Sequence, residues 1–397
     1  MSLLETAAAL ADAEALLAQA RANLAAKVAP SRTVDPTRLD AEQLAAHALA
    51  WMATYVAALR QLREWAVRLD AAGELGEAQR LILAVGFGEY LAQLAGGIAM
   101  GQGEIARPQD LGLDDPDLSP LRASPLIAGL AEARTRLGAI LAEGMPSGGD
   151  ALGDETLELI RDQVRRFAER AVAPYAHDWH RQDKFIPIEV IEELSGIGVF
   201  GVTLPEEYGG LGLGKMAMCV VSEELSRAYI GVGSLGTRSE IAGELIRVSG
   251  TAEQKARWLP GIASGAVLPT AVFTEPNAGS DLASLQTRAV KEGGQYRIYG
   301  AKTWITHGAR SDLMTLLART GAADSGYRGL SMFLAPKPRG SDADPFPADG
   351  MSGSEIPVLG YRGMKEYEIG FDGFAVPPLR MSSPAISERV PSEPTPI

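Results

Sequence analysis

Residues 271–284 read AVFTEPNAGSDLAS and join an apolar strand pattern to residues that can hold a ligand. β-Branched and aromatic residues precede Pro276, which predicts a strand that ends in a tight turn. Gly279 lets the backbone approach a ligand closely, Ser280 offers a hydroxyl group, and Asp281 can cap the following turn. The loop could therefore hold a polar or anionic group.

Residues 302–310, KTWITHGAR, place an aromatic ring between hydroxyl groups, because Trp304 is flanked by Thr303 and Thr306. An indole plane with hydroxyl groups beside it suits a flat heteroaromatic ligand. Either segment alone predicts no more than a strand and a turn. The functional argument therefore depends on the presence of both segments in one chain.

In this order, separated by two short predicted strands, the two segments resemble the flavin-binding core of the acyl-CoA dehydrogenase family. The family pattern is a TEPxxGSD loop followed by a KxWITN strand, which here corresponds to residues 274–281 and 302–307. His307 stands where the family usually has Asn, and we place it at the edge of the pocket. Residues 205–210, PEEYGG, and residues 370–377, GFDGFAVP, are similar to two further segments of the family.

The resemblance implies an enzyme that uses FAD to oxidise an acyl-CoA. In the family reaction a carboxylate removes the α-proton of the thioester while the β-hydride passes to N5 of the flavin. The resemblance also implies that Thr306 approaches N5, that Trp304 packs beside the ring, and that Ser280 helps to bind the CoA portion. The residues implied to bind the cofactor are Ala271, Phe273, Thr274, Gly279, Ser280, Trp304, Ile305 and Thr306.

We assign no residue of this chain as the catalytic base. Glu275 is not the base in the family, and Glu366 and Glu368 alternate on a predicted strand, for which a solvated edge is the ordinary explanation. Family members carry the base on a C-terminal four-helix domain. Residues 378–397 are instead rich in Ser, Pro and Glu, which predicts a disordered tail. We therefore expect the four-helix domain to be missing from this chain, whether naturally, by truncation or by a frameshift.

A large N-terminal helical extension resembles one branch of the family, the methylsuccinyl-CoA dehydrogenases. This implies (2S)-methylsuccinyl-CoA as the substrate and mesaconyl-CoA as the product. The free carboxylate of such a substrate needs a cationic partner when it is buried. Arg238 is the candidate, because it lies on the helix that leads to the acyl pocket in the family. The alternative is a surface arginine at the start of a helix.

Two other functions remain open at this point. One is a non-catalytic protein that binds a flavin or an acyl-CoA, and the other is an acyl-CoA oxidase that passes electrons to oxygen. FAD content separates the first from a dehydrogenase. For a dehydrogenase, the family implies an electron-transfer flavoprotein as the acceptor and a homo-oligomeric full-length form.

Composition excludes several classes of protein. A formal net charge of -13 argues against nucleic acid or an anionic membrane surface as a partner. The only cysteine, Cys219, excludes an intramolecular disulfide and a multi-cysteine metal site, and the scattering of the four histidines argues against a histidine-rich metal site. The N-terminus lacks the basic residues of a signal peptide, and there is no apolar run of about 20 residues. We expect a soluble, cytoplasmic protein.

Hydrophobic periodicity predicts an α+β chain with four parts. Residues 1–145 are predicted as a helical extension, with helices over about 2–27, after 40, over 77–100 and over 126–141. Residues 144–150 are a linker by composition. Residues 151–265 are predicted as the helical N-terminal domain of the family, in which Pro174 stops the first helix. Residues 378–397 form the tail.

Residues 266–377 are predicted as a small antiparallel β-barrel or sandwich domain. Its predicted strands cover residues 267–274, 285–290, 296–299, 302–306, 313–318, 330–335 and 367–376. The connection 337–353 is rich in Pro, Asp, Gly and Ser and predicts a mobile loop.

Overall fold

The computed structural model describes residues 2–144 and 152–377. The chain divides into two compact units, residues 1–153 and residues 154–397. The predicted tail, 378–397, and nearly all of the predicted linker lie outside the described residues. No helix in the described ranges is long and apolar enough to cross a membrane.

The first unit is built from helices. Ser2 and Glu5 form a capping box that starts its first helix, in which every third or fourth residue is buried. Leu59, Phe87 and Leu91 lie at the centre of the core. The helices are α1 (Leu3–Val28), α2 (Pro36–Ala41), α3 (Gln43–Ala71), α4 (Glu77–Gly96), α5 (Asp115–Arg122), α6 (Pro125–Ala128) and α7 (Leu130–Glu143).

The helix predicted to reach residue 100 ends earlier than expected. Gly97 follows α4 with φ 137°, a conformation that favours glycine and stops the helix. The chain then forms two short antiparallel strands, β1 (Ile98–Ala99) and β2 (Ile105–Ala106). The periodicity of α4 alone could not show this stop.

The second unit begins with a helical layer. Asp154 caps its first helix by accepting hydrogen bonds from the amides of Thr156 and Leu157. Pro174 was predicted to stop this helix, but it lies in the first turn of the next one, where the missing N–H costs nothing. The helices are α8 (Glu155–Ala171), α9 (Ala173–Arg181), α10 (Ile188–Gly196), α11 (Lys215–Ala228), α12 (Ile230–Gly233), α13 (Leu235–Ser249) and α14 (Ala252–Ala263).

A seven-stranded sheet follows, formed by β3 (Pro269–Val272), β4 (Arg288–Glu292), β5 (Gln295–Thr306), β6 (Leu313–Arg319), β7 (Leu330–Pro336), β8 (Met351–Ile356) and β9 (Glu366–Val376). The strands lie in the order β3-β6-β4-β5-β9-β8, with β7 paired to β6. The sheet is mixed, which corrects the prediction of an antiparallel domain. Strand β6 is parallel to β3 and, at its end, to β4, and it is antiparallel to β7. Parallel pairing is possible because the intervening chain is long enough for a crossover.

Two strand predictions differ from the structure. The pair predicted over 296–299 and 302–306 is one continuous strand, β5, which pairs with β9 along most of its length. The connection predicted to be a mobile loop contributes its last residues to β8, and Phe346 within it is buried against Tyr367. Pairing with the next strand, β9, overrides the weak local preference of the polar β8 residues.

Hydrogen bonds tie the helical layer to the sheet. The carboxylate of Asp312 accepts from the amide of Leu268 at 2.7 Å, and Arg310 donates to the carbonyl of Ile186 at 2.6 Å. The Tyr229 hydroxyl accepts from the amide of Gly363 at 3.0 Å. The last two contacts join the segment before α10 to the loop after β5, and the residue between α11 and α12 to the loop before β9.

Candidate functional site

The first motif forms a turn directly after β3. The amide and carbonyl of Glu275 exchange hydrogen bonds with those of Ala278 at 2.9 and 3.1 Å, so the TEPNA residues close into a tight loop. Gly279 and Ser280 follow at the exposed end of this loop, as a ligand-binding role requires. Phe273 and Thr274, immediately before it, are half-buried.

A buried ion pair joins this loop to the second motif. Lys302 is fully buried, and its Nζ donates to the carbonyl of Phe273 at 2.7 Å and to Oε1 of Glu275 at 3.0 Å. The Glu275 carboxylate also accepts from the amides of Gln286 and Thr287 at 2.7 and 2.8 Å. Burial opposes the ionised carboxylate, but these bonds and the Lys302 charge hold the pKa of Glu275 below its usual value.

Trp304 is presented outward by a β-bulge. Between the pairs Lys302↔Ile369 and Ile305↔Tyr367, two residues of β5 oppose one residue of β9. Trp304 takes the left-handed conformation, φ 58°, which is uncommon for a bulky residue, and its side chain is 56% exposed. A strained backbone that exposes a large aromatic ring is typical of a ligand-binding surface.

Two further bonds fix the ends of both motifs to each other. The amide of Thr303 donates to the carbonyl of Thr274 at 3.0 Å. The hydroxyl of Thr270 donates to the carbonyl of Thr306 at 2.7 Å. The chain from Thr270 to Thr274 therefore runs antiparallel beside residues 303–306. The structure brings the two motifs together, as the sequence predicted.

Thr306 ends β5 with its hydroxyl bonded to Glu366. The Thr306 Oγ1 donates to Glu366 Oε1 at 2.8 Å, and the two residues are directly opposite in the β5–β9 pairing. Glu366 is buried, so the solvated edge predicted for it is wrong, whereas Glu368 is exposed. The regular alternation of buried and exposed residues in β9 begins only after Glu366, so the alternation pattern predicted the wrong face of the strand for Glu366. Burial raises the pKa of Glu366 against the opposing effects of Thr306 and Arg238.

Arg238 acts on the same site from helix α13. Its charge opposes the rise in the pKa of Glu366 and of Tyr361 that burial causes, and it contributes to the lowered pKa of His307. Buried atoms of three of these residues have no hydrogen-bond partner among the described residues: Arg238 Nε, His307 Nε2 and Glu366 Oε2. We call Arg238, His307, Tyr361 and Glu366 the polar cluster. Unsatisfied buried polar atoms in one place indicate a site that a polar ligand or water completes.

His307 is more central than the sequence indicated. It was placed at the edge of the pocket, but it is buried and has φ 59°. Burial first, and the charges of Arg310, Arg339, Lys337 and Arg238 next, lower the pKa of His307 to about 3. The imidazole is therefore neutral near pH 7, and it can donate or accept one hydrogen bond.

The structure distinguishes among the other predicted residues. Ile305 is buried in the core of the sheet, so its side chain packs inward and only its backbone could meet a ligand. Sequence reasoning missed Lys302, Glu275 and Glu366 as a supporting set. The signal for the first two was a pair of charged residues of opposite sign, one in each motif. Glu366 carried no comparable signal, because only strand pairing brings it to Thr306.

The arrangement fits a flavin. Trp304 offers an exposed aromatic face, Thr306 offers a hydroxyl at the end of the same strand, and the loop at Gly279 and Ser280 leaves its backbone accessible. No group of three His, Cys, Asp or Glu residues within residues 2–144 and 152–377 could hold a metal ion.

Comparison with family models matches both parts of the second unit. Residues 154–266 match the model "Acyl-CoA dehydrogenase, N-terminal domain", and residues 270–374 match "Acyl-CoA dehydrogenase, middle domain". The motif loop, strand β5 and Glu366 all fall within the second match.

Known proteins agree with this assignment. The chain is 58% identical to (2S)-methylsuccinyl-CoA dehydrogenase of Cereibacter sphaeroides over 93% of this chain and 68% of that protein. It spans 52–56% of seven further curated acyl-CoA dehydrogenases, at 33–36% identity.

Solved structures share the fold. One is a glutaryl-CoA dehydrogenase of Mycobacterium smegmatis in complex with FADH2, at 27% identity and a TM-score of 0.50 over 58% of this chain and 56% of that one. Another is a chain in a structure of the electron transferring flavoprotein of Acidaminococcus fermentans, at 28% identity and a TM-score of 0.52 over 58% of each chain. With its paired motifs and these matches, the chain belongs to the acyl-CoA dehydrogenase family of oxidoreductases, which uses FAD.

Proposed function

We propose that this chain binds FAD and serves the α,β-dehydrogenation of (2S)-methylsuccinyl-CoA to mesaconyl-CoA. The observation that carries the proposal is Arg238, whose buried Nε has no hydrogen-bond partner among the described residues and whose charge acts on Glu366 and His307. The identity to a methylsuccinyl-CoA dehydrogenase supports the same substrate.

For the cofactor, the proposed contacts are the exposed ring of Trp304, the half-buried Phe273 and Thr274, and the Thr306 hydroxyl. Gly279 and Ser280 lie on the exposed loop, where Ser280 would contact the cofactor and the CoA portion. When bound, FAD supplies the acceptor for the electrons that leave the acyl group. The protein residues orient the ligands and set their hydrogen bonds. We propose an electron-transfer flavoprotein as the next electron acceptor.

For the substrate, Arg238 is proposed to pair with the free carboxylate of the methylsuccinyl group. A buried carboxylate without a cation is costly, and a planar guanidinium binds it with two parallel hydrogen bonds. The neutral His307 beside it can donate one more. A plain acyl chain such as butyryl makes none of these contacts.

The first experiment is the visible absorption spectrum of the purified chain, with its intact mass. Flavin bands at the mass of this sequence are expected, because the residues that face the cofactor are held by hydrogen bonds within the second unit. A colourless protein that also fails to take up added FAD would contradict the proposal. Rapid reduction of oxygen by a substrate-reduced sample would favour an oxidase instead.

The second experiment separates substrate recognition from cofactor binding. Arg238→Met should weaken binding of methylsuccinyl-CoA to the FAD-loaded chain about tenfold to a hundredfold, the effect of one or two charge-assisted hydrogen bonds, and leave butyryl-CoA binding nearly unchanged. Arg247→Met is the matched control, because Arg247 lies on the same helix and is already paired with Glu244. Equal losses for both substrates would exclude Arg238 as the carboxylate partner.

We assign removal of the α-proton to no residue of this chain. A bound acyl-CoA should therefore incorporate no deuterium at its α-carbon in heavy water. Appreciable exchange would contradict this and would make Glu366 the first residue to replace.

A further inference from the structure

The bond between Thr306 and Glu366 controls what the Thr306 hydroxyl can offer to a ligand. A threonine hydroxyl has one proton to donate and two lone pairs that accept. In the structure that proton points to Glu366 Oε1 at 2.8 Å. An ionised carboxylate can only accept a hydrogen bond, so the Thr306 hydroxyl donates its proton to Glu366. Toward a ligand, the hydroxyl can then act only as an acceptor through its oxygen.

Protonation of Glu366 reverses this hydrogen bond. A neutral carboxyl group donates to the Thr306 oxygen and leaves the Thr306 proton free for a ligand. The backbone around Thr306 does not need to move, since Thr270 holds the Thr306 carbonyl at 2.7 Å and strand pairing holds Thr306 opposite Glu366. The protonation state of one buried carboxyl therefore decides whether Thr306 is a donor or an acceptor.

The surroundings of Glu366 favour its neutral form more than water does. Burial raises its pKa, and its Oε2 has no partner among the described residues. The charged and titratable groups that face it are Arg238 from α13, Tyr361 from the loop before β9, and His307 after β5. Tyr361 has a raised pKa and His307 a pKa of about 3, so neither changes charge between about pH 5 and pH 8.

We propose that Glu366 is a positioning residue that sets the direction of the Thr306 hydrogen bond toward the flavin. This inference rests on the proposed function. N5 of oxidised flavin is a hydrogen-bond acceptor, so its contact with Thr306 needs the Thr306 proton and therefore a protonated Glu366. Binding of oxidised FAD then takes up a proton at Glu366 wherever the free chain has that carboxyl ionised.

The test is a titration of the FAD-free chain with oxidised FAD, by calorimetry in two buffers of different ionisation enthalpy, at pH values from about 5 to about 8. The difference between the buffers gives the number of protons bound. The wild-type chain should take up as much as one proton in part of this range, and its affinity should fall by up to about tenfold per pH unit there. The Glu366→Gln variant should show no such uptake, because an amide donates to Thr306 at every pH.

Matched variants make the result specific. Glu368→Gln changes an exposed carboxyl two residues along the same strand and should behave as wild type. Thr306→Val should also lose the proton uptake, because it has no hydroxyl to direct.

Proton uptake by Glu366→Gln equal to that of wild type would overturn the inference. If the wild-type chain binds no FAD, the proposed function fails and the inference fails with it. If it binds FAD without proton uptake at every pH, only the inference fails.

Discussion

The ammonium group of Lys302 lies 3.0 Å from the carboxylate of Glu275 and 2.7 Å from the carbonyl of Phe273. One buried cation therefore joins the loop after β3 to the strand that carries Trp304 and Thr306. Strand β4 and the first half of β5 separate the two sequence motifs in the chain, yet the charged residues of the motifs are in direct contact. Lys302 and Glu275 are both buried, so they stabilise the site and are not exposed to a ligand.

Replacing Lys302 by Met should lower the free energy of unfolding by about 3–5 kcal/mol, because it leaves the buried Glu275 carboxylate without its cation. Urea denaturation of the single variant measures this loss. Lys291→Met is the control, since Lys291 is exposed on the neighbouring strand β4, and it should change stability by less than about 0.5 kcal/mol.

The double variant Glu275→Gln, Lys302→Met tests whether the loss arises from the pair. Its destabilisation should be smaller than the sum of the two single losses, because no unpaired charge remains. Additive losses would show that the two residues stabilise the fold independently.

The sequence predicted the parts of the site that depend on local patterns. Strands β6 and β7 follow from apolar runs between turn residues, the turn after β3 follows from Pro276 and Gly279, and the motif resemblance proposed the residues that surround a flavin. The sequence could not show that Thr306 is hydrogen-bonded to Glu366, or that the charge of Arg238 affects the pKa of Glu366. These interactions join residues 60 or more positions apart through strand pairing and helix packing.

Strand β8 shows the same limit. Its residues, MSGSEI, include Ser and Gly and have low strand preference, so the segment resembled the polar connection before it. Pairing with β9 decides its structure. The parallel contact of β3 with β6 was missed for a related reason, since local patterns define strands but not their partners.

Trp304→Ala should weaken FAD binding while leaving the fold almost intact. The side chain is more than half exposed, so its removal should change stability by less than about 1 kcal/mol. Loss of an aromatic stacking contact of about 0.5–1.5 kcal/mol should weaken binding roughly twofold to tenfold. Flavin fluorescence titration measures the affinity, with Tyr327→Ala, another exposed aromatic residue, as the control. Unchanged affinity would remove the indole from the flavin site.

Arg319→Lys should destabilise the loop that follows the first motif. The buried Arg319 donates from Nε to the carbonyl of Leu285 and from its terminal nitrogens to the carbonyls of Ala283 and Gly326. A lysine has a single charged nitrogen and cannot reach three carbonyls set apart in this way. Loss of one or two hydrogen bonds to a charged group should cost about 2–4 kcal/mol of unfolding free energy. Hydrogen exchange should show faster opening of residues 282–287, and unchanged protection would contradict this role for Arg319.

His307→Asn should make the protein less sensitive to acid. The pKa of His307 falls from 6.5 to about 3 on folding, so between these values the unfolded chain binds a proton that the folded chain does not. Stability is therefore fully present above about pH 6.5 and declines as the pH falls, by about 1.4 kcal/mol per pH unit from this residue alone. Asparagine does not titrate and tolerates the left-handed conformation at φ 59°.

The measurement is the difference in unfolding free energy between His307→Asn and wild type, taken from about pH 7 down to about pH 4.5. Taking the difference cancels the titration of the groups that both proteins share. Over this pH range the difference should change by about 2–3 kcal/mol in favour of the variant. His177→Asn, which replaces an exposed histidine, should show no comparable trend. A difference that stays constant with pH would mean that His307 binds its proton in the folded chain as readily as in the unfolded one. Burial and the neighbouring cations would then not lower the pKa of His307.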